Sequence, residues 1–85
     1  MSKMTIVIAG ARPYWDWSWQ KEMEVEDGDT VSRVKQLVNE KFVSIEPADQ
    51  ILKCEEQTMK DNKTLAYYNI KEGTILYLRP KKSSA

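Results

Sequence analysis

Apolar and polar residues along this chain change period several times, and each period predicts an element. Met4, Ile6 and Ile8 alternate with Thr5 and Val7 in a short β-branched run, which reads as a strand with Ile6 and Ile8 on one face and Met4 behind them. Residues 9–20 break the pattern as a loop or hairpin extension. Glu22-Met23-Glu24-Val25-Glu26 then alternates at period two, the mark of a half-buried antiparallel strand with its acids in water. Asp27-Gly28-Asp29 makes a turn. Asp29 or Thr30 can cap a helix, because either side-chain oxygen can accept an amide hydrogen of the first turn. Behind it, Val31, Val34, Leu37, Val38 and Phe42 recur at spacings of three and four and fall on one helix face. Lys35, Asn39, Glu40 and Lys41 are expected on its wet side or edges.

The second half reads in shorter pieces. Pro47 bars a helix through Glu46. Gln50-Ile51-Leu52-Lys53-Cys54 is a short strand, Glu55-Glu56-Gln57 a turn, and Thr58-Met59-Lys60 a brief extended piece. Thr64-Leu65-Ala66-Tyr67-Tyr68 predicts a single helical turn. The last strand covers residues 74–79, with Leu76 and Leu78 inward, and Pro80 stops it. The first and last strands are expected to meet as parallel neighbours at the centre of the sheet, flanked by hairpin-like pairs.

With 85 residues there is material for one domain and one modest core. Acids and bases balance at 13 each, so the net charge of zero does not point to nucleic acid. The chain has one cysteine, Cys54, which leaves no disulfide framework and no metal cluster, and no histidine, so the commonest general base and the commonest metal ligand are both missing. Catalysis, a metal, a cofactor and a small-molecule substrate are therefore not expected. No apolar run nears the roughly 20 residues that cross a membrane, and Met1-Ser2-Lys3 lacks a secretory stretch. An intracellular setting, cytoplasmic or nuclear, is the expectation.

Two regions carry candidate chemistry. All three tryptophans, Trp15, Trp17 and Trp19, lie within five residues beside Arg12, Pro13, Tyr14 and Asp16. Their period of two continues the phase of Met23 and Val25, so the rings can lie on one face and cover the end of the core. Alternatively the rings are exposed and Arg12, Tyr14, Trp15, Trp17 and Trp19 anchor a protein partner, since Trp, Tyr and Arg dominate binding hot spots. Exposed rings would also permit self-association. Lys21 falls at an inward phase between Trp19 and Met23, which hints at a bulge. The second region is basic: Lys53, Arg79, Lys81 and Lys82 can converge beside Tyr77 on one side of the sheet, a strip suited to phosphates and a stacked base. Glu22, Glu24 and Glu26 read as a solvated stripe. Asp27-Gly28-Asp29 has too few acids for a calcium loop, and Gly10 and Gly28 make no phosphate cradle.

The order of elements, together with Pro47-Ala48-Asp49-Gln50-Ile51-Leu52 and the pattern Asp61, Thr64, Leu65, Tyr68, Ile70, resembles ubiquitin over residues 4–79. The resemblance implies an α+β, ubiquitin-like β-grasp fold: a mixed sheet of four to five strands packed on one main helix, here with an extended Trp-rich first hairpin. Residues 1–3 are then an N-terminal extension and residues 80–85 a flexible basic tail. It also implies a Lys35–Asp61 bridge, a Tyr68 hydroxyl tied to nearby backbone, and a bulky core position occupied by Cys54, which is read as a small buried hydrophobe. Conjugated relatives end in two glycines, whereas this chain leaves its last strand through Arg79-Pro80-Lys81-Lys82-Ser83-Ser84-Ala85. Conjugation is expected only if the native protein runs on to such a pair. The family's docking patch maps near Ile51 and onto Lys53, Tyr77 and Arg79, where an apolar centre has become cationic; a partner that docks by an apolar contact would have to desolvate Lys53. Residues 60–69 are also similar to the C-terminal ubiquitin-like domain of the splicing factor 3a large subunit, which implies an RNA-contacting role. The resemblance as a whole points to a non-catalytic interaction module, part of a larger protein.

Overall fold

The computed structural model describes residues 3–10, 15 and 18–81. These form a five-stranded sheet in the order β2-β1-β5-β3-β4, with one helix against its inner face. Strand β1 (Lys3–Gly10) pairs antiparallel with β2 (Trp19–Glu26) and parallel with β5 (Ile75–Pro80). Strand β3 (Gln50–Cys54) runs antiparallel to β5 on its other side and closes a short hairpin with β4 (Gln57–Thr58). The first and last strands are thus the central parallel neighbours that the sequence predicts. The strands begin at Lys3 and end at Pro80, one residue beyond the expected limits on each side; Pro80 still pairs with Gln50 as the last residue of β5. Residue 82 and those beyond lie outside the described residues, as do Arg12, Tyr14 and Trp17.

The helix α1 (Val31–Lys41) buries Val31, Val34 and Val38 against Ile6, Ile8, Leu52, Leu76 and Leu78. Its first turn shows why it starts where it does. The first three amide hydrogens of a helix have no partner within it. Here the Val31 amide donates to Lys63 O at 2.9 Å, the Ser32 amide to Asp61 O at 3.1 Å, and the Arg33 amide to the Thr30 hydroxyl at 3.1 Å. Two of the three partners are main-chain carbonyls of the Asp61 to Ile70 segment, so that segment caps α1. The same segment contains a 3-10 turn (Ala66–Tyr68) and supplies Leu65 and Ile70 to the core. The Tyr68 hydroxyl accepts the Lys60 amide at 2.8 Å, as the resemblance implies.

Two expectations are corrected. Lys35 is buried, not on the wet side of α1, and its ammonium meets Asp61 Oδ1 at 2.6 Å. The charge can be buried because Asp61 itself stays half in water and solvates it. Lys21 marks no bulge. The ladder runs without a break from Gly10↔Trp19 through Ile8↔Lys21 to Lys3↔Glu26. Lys21 keeps its inward phase yet is exposed, because at that height the sheet has passed the end of α1.

Candidate functional site: a Trp-walled cleft

The site begins with the end of the helix. Phe42 closes α1 with its amide on Val38 O at 2.8 Å, and the Val43 amide shares the same carbonyl at 3.1 Å. The chain that follows is held by two side-chain amides. Asn39 Nδ2 and Gln50 Nε2 each donate to Ile45 O at 2.8 Å, and Gln50 Nε2 also donates to Lys35 O at 3.0 Å. Gln50 is almost wholly buried, so this clamp is rigid. It fixes Phe42, Val43, Ser44 and Ile45 as one wall beside the top of the sheet.

Tryptophans make the other wall. Trp19 faces Gly10 across the β1–β2 ladder, and its ring crosses the space where a side chain would stand: a Cβ on Gly10 would overlap Trp19 Nε1 and sit 2.8 Å from Trp15 Cδ1. The glycine is therefore needed for close approach of the rings. Trp15 meets Trp19 edge to face, with ring centroids 5.2 Å apart and planes at 89°, a favoured aromatic geometry. The Trp15 indole N–H donates to Leu78 O at 2.8 Å, which leaves its polar edge satisfied and its ring free to line the cleft. Trp15 and Trp19 are half-buried and pack on the core. These two rings therefore cover the end of the core and at the same time wall a cleft.

That cleft has a volume of about 520 Å³ and is lined by Trp15, Trp19, Lys21, Phe42, Val43, Ser44 and Ile45. Its surfaces are mostly apolar, with Lys21 supplying a cation. Sequence reasoning placed Lys21 at an inward phase and Phe42 on the apolar face of the helix, but singled out neither of them, nor Val43, Ser44 and Ile45, as part of a binding wall. The available signal was the run Phe42-Val43-Ser44-Ile45, too apolar for a solvated loop between a finished helix and Pro47.

The second candidate surface is the outer face of the sheet. Lys53 stands opposite Tyr77, and Ile51 opposite Arg79, on neighbouring strands. Tyr77 is 48% exposed and Ile75 37%. Arg79 and Lys53 are half-buried, and Lys81 is exposed just past the strand pairing. The structure places Ile51, Lys53, Tyr77 and Arg79 on neighbouring strands of one sheet face, while Lys82 lies outside the described residues. Cys54 faces the core side only partly buried. Burial, and then the neighbouring Glu55 carboxylate, push its thiol above its ordinary value, which keeps it protonated and poorly nucleophilic. Among the described residues no cluster of His, Cys, Asp or Glu could hold a metal, and no helix is long and apolar enough to cross a membrane.

Comparison with known proteins agrees with this geometry. Ubiquitin D of Rattus norvegicus is 34% identical over 56 residues, covering 66% of this chain and 34% of the relative, and Ubiquitin D of Mus musculus matches to the same extent. The match spans about a third of the length of those relatives. NEDD8-like protein RUB3 of Arabidopsis thaliana is 32% identical over 59 residues, 69% of this chain and 74% of the relative. The sequence model of the Ubiquitin family matches residues 18–83. With this match, the β-grasp topology and the capping role of the Asp61 to Ile70 signature, the chain belongs to the ubiquitin family.

Proposed function

We propose that the domain is a non-catalytic interaction module of an intracellular protein, and that it captures a protein partner through its Trp-rich first hairpin. The observation that carries this reading is the cleft between the hairpin and the end of α1. Two indoles, Phe42, Val43 and Ile45 offer an apolar cleft with room for more than one side chain, and Lys21 among its lining residues offers a cation. Such a cleft suits an aromatic or aliphatic side chain flanked by an acid on a partner segment. Its walls are held in place before binding, by the Ile45 clamp on one side and the Leu78 bond on the other. Pre-organised walls reduce the ordering cost of association. The absence of histidine from the sequence and the protonated state of the one thiol support a role without catalysis.

An RNA-binding role through Lys53, Tyr77 and Arg79 is less well supported, because Glu22 and Glu24 occupy the same sheet face and repel phosphates. The immobilised domain, offered a cell lysate with and without RNase, separates the two readings. A bound set that survives RNase and is lost with Lys21→Glu or Trp19→Ala supports the proposal. A set that vanishes with RNase, or that both variants retain, overturns it.

A further inference from the structure

The outer sheet face carries two charge patches of opposite sign around an apolar centre. On β2, Glu22 and Glu24 are exposed and stand opposite Val7 and Thr5 of β1. On the far side, Lys53 of β3 stands opposite Tyr77, Arg79 follows two residues along β5, and Lys81 lies past it. Val7 pairs with both Glu22 and Ile75, so Val7, Ile75 and Tyr77 form a continuous apolar stripe between the patches. Ile75 and Tyr77 are two of the three large hydrophobic residues exposed among those described, Tyr67 being the third. Across the sheet, at about 4.8 Å per strand, Glu22 and Glu24 of β2 stand about 14 Å from Lys53 of β3 and about 10 Å from Arg79 of β5.

A face of this kind is its own complement. A two-fold axis through the Val7–Tyr77 centre, lying in the plane of contact and across the line that joins the patches, sets the acids of each copy on the bases of the other. The apolar stripes then meet at the middle. Packed sheets stand about 10 Å apart, a gap that glutamate and lysine side chains reaching from both sides can close. A net charge of zero removes the bulk repulsion that would otherwise oppose contact. We infer that the domain self-associates face to face through this surface, with a second copy of the chain as occupant. An acidic peptide would engage the basic half alone and leave Glu22 and Glu24 unmatched. The face is small, so the dimer is of the weak class, with a dissociation constant on the order of 100 μM.

Sedimentation of the whole chain from about 10 μM to about 1 mM at low salt reads the association directly. The wild-type mass is expected to rise toward the dimer with concentration and to fall back as salt screens the patches. Two variants make the face uniformly charged: E22K/E24K makes it basic, and K53E/K81E makes it acidic. Each alone is expected to self-associate at least about tenfold more weakly than wild type, because like charges then face each other. An equimolar mixture of the two is expected to associate again, as a heterodimer. Unfolding midpoints of both variants confirm that they are folded. A wild type that stays monomeric throughout overturns the inference, as do variants that self-associate like wild type or a mixture that stays monomeric. Association lost with Lys21→Glu and kept by both charge variants overturns it too, and moves the contact to the Trp cleft.

Discussion

The indole N–H of Trp15 donates to the main-chain carbonyl of Leu78 at 2.8 Å, across 63 positions of sequence. The bond ties the first hairpin to the last strand at the point where the β1–β5 ladder has ended, its final pair being Ala9↔Tyr77. It supplies a partner to a carbonyl that β1 no longer reaches, and it sets the pitch of the ring that walls the cleft. Trp15→Phe keeps most of the ring and removes the donor. Urea unfolding is expected to show a loss of about 1 kcal/mol. An unchanged midpoint would mean that the bond carries no weight.

Gly10→Ala places a methyl group inside the rings of Trp19 and Trp15. Both indoles must move, at a cost of about 1–3 kcal/mol, with a changed near-UV dichroism from the displaced tryptophans. In a Trp19→Ala background the same substitution is expected to cost much less, because its main obstacle is gone. Equal costs in the two backgrounds would contradict the described overlap.

Lys35 and Asp61 form a pair in which the lysine side chain is 7% exposed and the aspartate 57%. Asp61→Ala leaves a buried ammonium without its carboxylate and is expected to destabilise the fold by about 2 kcal/mol. Lys35→Met removes the charge and keeps the stem, so its cost is smaller. The double variant is expected to cost less than the sum of the two. Strict additivity in denaturant unfolding would show that the pair is not coupled.

Cys54 is expected to react slowly with iodoacetamide. Burial first, and the Glu55 carboxylate second, hold its thiol above its ordinary value, so less thiolate is present at any given pH. At pH 8 its alkylation should lag behind that of a free cysteine-containing peptide, and the lag should persist until the pH passes the raised value. Alkylation as fast as the peptide's would contradict this environment.

Much of the fold is legible in the sequence, because its period-two and period-3.6 segments are separated by strong turn and cap signals. Thr30, Pro47 and the Asp61 to Ile70 pattern mark element boundaries by local chemistry that tertiary contacts then use. Lys35 shows what periodicity alone misses: a long stem that packs like a hydrophobe while its charge finds a distant acid. The phase of Lys21 was read correctly, but its meaning depends on where α1 ends relative to the sheet, which no local pattern records. The cleft is likewise non-local. It exists because Asn39 and Gln50 hold Ile45 while Gly10 admits two indoles; the tryptophans announce themselves in the sequence, but Asn39, Gln50, Ile45 and Gly10 do not signal a binding wall by type or spacing.

The most direct test of the Trp-walled cleft as the docking site is an NMR titration of the domain with the protein recovered by its pull-down. The account predicts that the indole N–H signals of Trp15 and Trp19 and the amides of Val43 and Ile45 shift first and most. Shifts confined to Lys53, Tyr77 and Arg79, with both indole signals unmoved, would contradict it.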